Sequence, residues 1–128
     1  MIRALVVEDD QIVMEVICEL LQLGNIDVIG RGSDGKEAVE LFRKLKPDIV
    51  LLDVMMPRYD GFYALQKIRQ YNPLAKVIIV TADLTYETEK KLKGLKASAI
   101  AYKPYDVDTL IETIQKVYQG EQTCSVNS

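Results

Sequence analysis

The chain has 128 residues, of which 48% are hydrophobic and 27% are charged, and its formal net charge is −3. This length favours one globular domain, and the scattered basic residues argue against nucleic acid as the main partner. No apolar run approaches the roughly 20 residues that cross a bilayer, so we expect a cytoplasmic protein without membrane contact. Histidine is absent, which excludes catalysis and metal binding through imidazole.

Segments rich in Val and Ile alternate along the chain with segments of helical periodicity. We predict strands at 3–7, 27–30, 48–52, 76–80 and 98–102, and helices at 11–23, 36–45, 62–71, about 85–95 and 107–118. The strands are apolar almost throughout, as expected of parallel strands buried on both faces. The sequence therefore predicts a doubly wound α/β domain with a five-stranded parallel sheet and five helices over residues 1–120. Residues 121–128 are expected to form a disordered tail.

Polar residues stand where the predicted strands end, and in open parallel sheets this edge binds ligands. Glu8 and Asp9 follow the first strand, Asp53 the third, Thr81 the fourth and Lys103 the fifth. Strands one and three are neighbours in the usual orders, so the three acids should converge and repel unless a cation neutralises them. Mg²⁺ prefers such oxygen ligands. We assign the next acid, Asp10, to the cap of the first helix.

A hydroxyl and an ammonium group are predicted to join this acidic cluster. Thr81 and Lys103 are unremarkable alone, because a threonine at a strand end and an exposed lysine are both common. Together with a metal and a carboxylate, they provide the charge stabilisation that a phosphoryl group needs. This combination indicates phosphoryl chemistry at Asp53.

Four motifs resemble, in their order and spacing, the receiver domain of two-component response regulators. They are "LVVEDD", "DIVLLDVMMPRYDG", "VIIVTA" and "YKPY", and the likeness covers nearly all of the chain. The resemblance implies a flavodoxin-like fold with strand order 2-1-3-4-5. It also implies a signalling domain that assists its own phosphorylation and dephosphorylation, rather than an enzyme.

The resemblance assigns a role to each residue at the predicted edge. Asp53 would be the phosphoacceptor, and Mg²⁺ would be held by Asp9, Asp53 and the main-chain carbonyl of Met55, with Glu8 reaching it through water. Thr81 and Lys103 would contact the phosphoryl oxygens, and Ala82 would leave room for access. The Lys103–Pro104 peptide would be cis.

The sequence departs from the family pattern at one switch position. The aromatic residue expected three positions before the lysine is Ile100 here. Tyr102 lies two positions further on and should point to the same face of the strand, because side chains alternate along a strand. Tyr102 is therefore a candidate switch element, whereas a tyrosine that merely covers the core is the alternative.

The predicted function is that of a stand-alone response regulator, which accepts a phosphoryl group from a sensor histidine kinase and alters its binding to an effector protein. A phosphorelay intermediate that passes the group to a histidine phosphotransfer protein is the alternative. We expect a monomer that can dimerise on phosphorylation, with no nucleic-acid partner.

Two enzyme interpretations are weaker. "GRGSDG" at 30–35 matches a dinucleotide fingerprint, but that reading leaves Glu8, Asp9, Thr81 and Lys103 unexplained. An aspartyl-phosphate phosphatase would place an acid two residues after its nucleophile, where this chain has Met55.

The first helix has an apolar arc wider than burial on one side requires. We predict that its edge at Ile12, Val16 and Leu20, close to Asp53, docks the helical bundle that carries the donor histidine. Burial of this edge by a neighbouring helix is the alternative.

Overall fold

The structure is a computed structural model that describes residues 1–120. Its strands are β1 (Ile2–Val7), β2 (Ile26–Gly32), β3 (Ile49–Asp53), β4 (Val77–Thr81) and β5 (Ala99–Tyr102). Its helices are α1 (Gln11–Leu23), α2 (Gly35–Leu45), α3 (Gly61–Tyr71), α4 (Tyr86–Gly94) and α5 (Val107–Tyr118). The predicted elements are confirmed, with bounds that differ by at most two residues. The predicted tail at 121–128 lies outside the described residues.

The five strands form one parallel sheet in the order β2-β1-β3-β4-β5. This is the predicted flavodoxin-like order. Val7 of β1 lies beside Leu52 of β3, so the residues that follow them meet at the sheet edge. Thr81 of β4 lies beside Tyr102 of β5 in the same way. The register therefore aligns the ends of the four strands that carry the predicted site.

Helices cover both faces of the sheet, which explains the continuous apolar runs of its strands. On one face α1 and α5 pack on a core that includes Ile17, Leu21 and Ile114. On the other face α2, α3 and α4 pack on a second core that includes Phe42, Leu65 and Leu92. Leu92 is the one fully buried residue of α4. No helix of residues 1–120 is long and apolar enough to span a membrane.

Short polar side chains cap the N-terminus of every described helix. The side chains accept hydrogen bonds from main-chain N–H groups of the first helical turn, and the capping residues are Asp10, Asp34, Asp60, Thr85 and Asp106. Loss of such a cap typically costs about 1 kcal/mol of stability. The role predicted for Asp10 is confirmed.

Close packing accounts for two of the three glycines of the "GRGSDG" segment. A Cβ at Gly30 would lie 2.5 Å from Leu45 Cδ1, and a Cβ at Gly35 would collide with the main-chain carbonyls of Tyr59 and Asp60. The N–H of Gly35 donates to the Tyr59 carbonyl at 2.6 Å. These glycines bring β2, α2 and the loop after β3 together, so the segment needs no dinucleotide phosphate to explain it.

We predict that Gly61→Ala lowers the free energy of unfolding by about 1–3 kcal/mol, the usual cost of overpacking. A Cβ at this position would lie 2.6 Å from the Asp53 carbonyl oxygen and 2.7 Å from Val54 Cα. Gly94→Ala is the matched control, because a Cβ there meets nothing within 4 Å. It should leave stability unchanged or raise it by up to about 1 kcal/mol. Urea denaturation measures both variants, and equal losses would contradict the packing argument.

Candidate functional site

Three carboxylates converge at the carboxyl ends of β1 and β3. One oxygen from each of Glu8, Asp9 and Asp53 lies within 4.8 Å of the others. Glu8 and Asp53 are buried, with 7% and 5% of their surface exposed, whereas Asp9 is exposed. The pairing of β1 with β3 produces this convergence, and buried carboxylates this close require a cationic partner.

Lys103 supplies one positive charge to the cluster. Its Nζ donates to Asp53 Oδ2 at 2.9 Å and lies 3.7 Å from Glu8 Oε1. Burial opposes the charged form of the ammonium, but the hydrogen bond to Asp53 and the charges of Asp53 and Glu8 outweigh it and raise the pKa of Lys103. The Lys103–Pro104 peptide is cis, as expected. The lysine therefore remains charged beside the carboxylates.

Glu8 has a strongly raised pKa. Burial raises its pKa to about 7; a hydrogen bond from the Asp10 N–H opposes the shift, and Asp53 and Asp9 add to it. The unperturbed value is 4.5. In the absence of a metal, the folded chain therefore keeps this proton to higher pH than the unfolded chain does. The contribution of Glu8 to the free energy of unfolding falls as the pH rises from about 4.5 to about 7.

The structure places Thr81 at the end of β4 with its side chain fully buried. Its Oγ1 accepts a hydrogen bond from the Asp83 N–H at 3.0 Å. The Asp83 carboxylate in turn accepts from the Thr88 hydroxyl at 2.6 Å and from the Thr85 N–H at 2.9 Å. The bond from Thr88 is the largest cause of the lowered pKa of Asp83. Asp83 thus joins the end of β4 to the first turn of α4.

Met55 and Ala82 lie at the exposed mouth of the site. The Met55 side chain is 65% exposed and Ala82 is also exposed. The Met55 N–H donates to Asp53 Oδ1 at 3.1 Å. Sequence reasoning assigned the carbonyl of Met55 to a metal and missed this N–H, because loop hydrogen bonds depend on a backbone conformation that residue type does not specify. Both oxygens of Asp53 therefore have a donor.

The two candidate switch positions of β5 face the same core, as predicted. Ile100 is buried among aliphatic residues, and Tyr102 is 8% exposed. Burial raises the pKa of Tyr102, and the charge and hydrogen bonding of Glu89 on α4 raise it further. Tyr102 therefore lies between Thr81, its neighbour in the sheet, and the surface of α4.

Tyr105 also approaches the site, although it was not among the predicted site residues. It lines a small cavity of about 20 Å³ together with Glu8, Asp53 and Val13. Burial is the largest cause of its raised pKa. The sequence offered one signal that Tyr105 lies near the site, which is its position in the "YKPY" motif two residues after Lys103.

The predicted docking edge of α1 is largely exposed. Ile12 and Val16 are 76% and 52% exposed, whereas Leu20 is half-buried. Of the rest of the apolar arc, Met14, Ile17, Cys18 and Leu21 are buried against the sheet, whereas Val13 is partly exposed. The exposed edge therefore begins at the first turn of α1, next to the acidic cluster.

The donor set fits a hard divalent cation such as Mg²⁺, which prefers carboxylate and carbonyl oxygens. Three carboxylates face one lysine. Among residues 1–120, no lysine or arginine forms an ion pair with Asp9. The cluster therefore carries more negative charge than its side chains neutralise once Glu8 is ionised.

We predict that Asp9→Asn stabilises the metal-free protein at pH 8 by about 0.5–1 kcal/mol, because it removes one of three neighbouring charges. The gain should shrink at pH 6, where Glu8 is protonated, and in excess Mg²⁺. Asp27→Asn, an exposed acid of β2, is the control and should have no effect. Urea denaturation in chelator measures these changes. A gain that is equal at both pH values would contradict the electrostatic account.

Comparison with known proteins identifies the family. The family sequence model of the response regulator receiver domain matches residues 4–115 of this chain. Protein CcdB of Bacillus subtilis is 34% identical over 91% of this chain and 98% of its own length. The chemotaxis protein CheY of Thermotoga maritima is 31% identical over 90% of this chain and 96% of its own. The CheX-CheY-BeF3-Mg²⁺ complex from Borrelia burgdorferi contains a chain with a TM-score of 0.86 and 25% identity, covering 91% of this chain and 89% of that one. The chain belongs to the receiver domain family of two-component response regulators.

Proposed function

We propose that Asp53 accepts a phosphoryl group from a phosphohistidine of a sensor kinase or histidine phosphotransfer protein. The observation that carries the proposal is the Asp53 carboxylate, buried beside Glu8 and Asp9 and bonded to Lys103 at 2.9 Å. This constellation provides a nucleophilic oxygen and a fixed cation at the sheet edge where ligands bind in this fold. Family membership supports the same assignment.

The transfer is a displacement at phosphorus. A carboxylate oxygen of Asp53 forms the new O–P bond as the N–P bond of the phosphohistidine breaks, and the imidazole nitrogen leaves with the electron pair of that bond. Lys103 stabilises charge on the phosphoryl oxygens. The Met55 N–H, already bonded to Asp53 Oδ1, orients the carboxylate.

Mg²⁺ is the proposed cofactor, and it would supply charge neutralisation between the carboxylates and the phosphoryl oxygens. Asp9, Asp53 and the carbonyl of Met55 would hold it, with Glu8 reaching it through water. The Borrelia burgdorferi complex contains Mg²⁺ together with BeF3. Its Mg²⁺ supports the same metal as the cofactor of this fold. The all-oxygen donor set of this chain agrees with it.

Phosphorylation is proposed to alter partner binding through β4, β5 and α4. The new negative charge attracts the Thr81 hydroxyl and the Lys103 ammonium, and Ala82 leaves space at the mouth. Movement of Thr81 breaks its bond with the Asp83 N–H, and Asp83 also contacts the first turn of α4. Tyr102, next to Thr81 and influenced by Glu89, follows this movement. The surface of α4 is therefore where we expect partner binding to change.

We predict that incubation with acetyl phosphate and Mg²⁺ adds one phosphoryl group to the protein, detected by intact mass. The adduct should be absent from Asp53→Asn and from wild-type protein in excess chelator. Asp60→Asn is the control, because this nearby acid caps α3, and it should still be modified. An adduct that persists in Asp53→Asn would contradict the assignment of Asp53.

The exposed edge of α1 is the proposed docking surface for the helical bundle that presents the phosphohistidine. Its apolar residues Ile12 and Val16 are exposed, and Leu20 continues the edge. Val13 of the same turn lines the cavity that reaches Asp53. A bundle packed on this edge would therefore lie next to the acceptor carboxylate.

We predict that Ile12→Glu and Val16→Glu each slow phosphotransfer from a histidine kinase about tenfold or more, because a charge replaces an exposed apolar contact. Uptake from acetyl phosphate should not change, since no bundle takes part in it. Leu23→Glu is the matched control, because Leu23 is 76% exposed at the far end of α1. Transfer assays with labelled kinase measure the rates. Equal losses with both donors would exclude a docking role.

A further inference from the structure

A separate surface, on the face of the sheet opposite α1, combines aromatic rings with lysines. The ammonium groups lie 6.0, 5.9 and 4.1 Å from the ring centroids in the pairs Lys36–Tyr59, Lys67–Tyr63 and Lys91–Phe62. The rings of Tyr59 and Tyr63 also contact each other, with centroids 4.8 Å apart. The three lysines come from α2, α3 and α4. We call this set of six residues the lysine–aromatic surface.

Three of the acids near this surface are engaged in local hydrogen bonds. Asp34 caps α2 and pairs with Arg58, and Asp60 accepts from the Tyr63 N–H. Glu37 accepts from both the N–H and the hydroxyl of Ser33. Because these three carboxylates serve the helix starts, they are less available to a partner than the ammonium groups and the aromatic rings.

A groove of about 570 Å³ lies within the same surface, between α3 and α4. It is lined by Asp60, whose carboxylate caps α3, and by Phe62, Tyr63, Gln66, Lys91, Gly94 and Leu95. A Cβ at Gly94 would meet nothing within 4 Å, so the groove is open at this wall. Its volume is enough for one or two apolar side chains of a partner.

We propose that the lysine–aromatic surface binds an acidic segment of a partner protein. An apolar side chain of this segment occupies the groove, and its carboxylates pair with Lys36, Lys67 and Lys91. The charge of the surface is complementary to such a segment, and its lysines lie on three helices, which favours an extended partner over a small molecule. Nucleic acid is disfavoured, because the chain as a whole carries a net charge of −3.

This binding would go beyond phosphoryl acceptance and use a surface other than the α1 edge; Lys91 and Gly94 place part of it on α4, the element proposed to carry the output. The α1 edge lies on the opposite face of the sheet, so both partners can bind at once. The surface also adjoins the loop after Asp53, because Tyr59 belongs to that loop and its carbonyl accepts the Gly35 N–H. A partner here is therefore placed to contact the loop next to the phosphoacceptor.

The test is an NMR titration of ¹⁵N-labelled full-length protein, without a phosphodonor, so its outcome does not depend on phosphotransfer. The probe is a short synthetic peptide with Leu-Phe flanked by Glu and Asp, and the comparison peptide carries Lys in place of the acids. We expect saturable shifts of Phe62, Tyr63, Gln66 and Gly94 with the acidic peptide, and none with the basic peptide.

Two variants and one control locate the binding. Lys91→Gln should weaken binding about threefold to fivefold, the effect of one exposed charge contact, and Gly94→Leu should weaken it at least as much by filling the groove. Lys44→Gln, an equal change of charge at the far end of α2, should not affect binding.

The proposal is overturned by absence of saturable shifts, by equal binding of the basic peptide or by an unchanged affinity of both variants. Shifts of the same residues with an oligouridine instead of the acidic peptide would assign the surface to nucleic acid, and shifts on self-dilution would assign it to a second copy of the chain.

Discussion

The ion pair between Lys103 and Asp53 is the interaction on which the site depends. Asp53 is the last residue of β3 and Lys103 follows β5, and these strands are not neighbours, since β4 lies between them. Adjacent strands are about 4.8 Å apart, so the long lysine side chain must cross the end of β4 to reach the carboxylate. It passes the strand that carries Thr81. One contact of 2.9 Å thus joins residues at the ends of β3 and β5 across the end of β4.

This ion pair also determines the electrostatic state of the cluster. Burial removes water from Glu8 and Asp53, and a single lysine balances only part of the resulting charge. Burial is the largest cause of the raised pKa of Glu8, and Asp53 and Asp9 add to it. The affinity proposed for Mg²⁺ follows from the negative charge that the lysine leaves unbalanced. In the proposed switch, an added phosphoryl group would change this balance and move Thr81, and Asp83 would carry the change to the start of α4.

The other acids at this edge have a different role, and the contrast clarifies the site. Asp10, Asp34, Asp60 and Asp106 all lie near strand ends, yet each accepts hydrogen bonds from a helix N-terminus. Glu8, Asp9 and Asp53 cap no helix. The sheet edge therefore separates carboxylates that stabilise the fold from carboxylates that are available for chemistry.

Sequence reasoning predicted the elements because continuous apolar runs and helical periodicity are local properties. It predicted the convergence of Glu8, Asp9 and Asp53 because parallel strands place their carboxyl ends together. The full strand order came from the family resemblance.

It did not predict the bond from the Met55 N–H, the contacts of Asp83 with Thr85 and Thr88, or the approach of Tyr105. These depend on loop backbone conformation, which packing between distant segments determines. The lysine–aromatic surface was missed for the same reason, since two of its three pairs, Lys36–Tyr59 and Lys91–Phe62, join residues from different elements.

We propose that Asp53 is the phosphoacceptor and that the carboxylates around it also bind a divalent cation. A crystal structure of the protein with Mg²⁺ and beryllofluoride tests it most directly. We expect the beryllofluoride on an oxygen of Asp53 and Mg²⁺ in contact with Asp9, Asp53 and the Met55 carbonyl. Lys103 Nζ and Thr81 Oγ1 should lie within hydrogen-bonding distance of the fluorides. Beryllofluoride on another carboxylate, or Mg²⁺ bound away from Asp9 and Asp53, would contradict it.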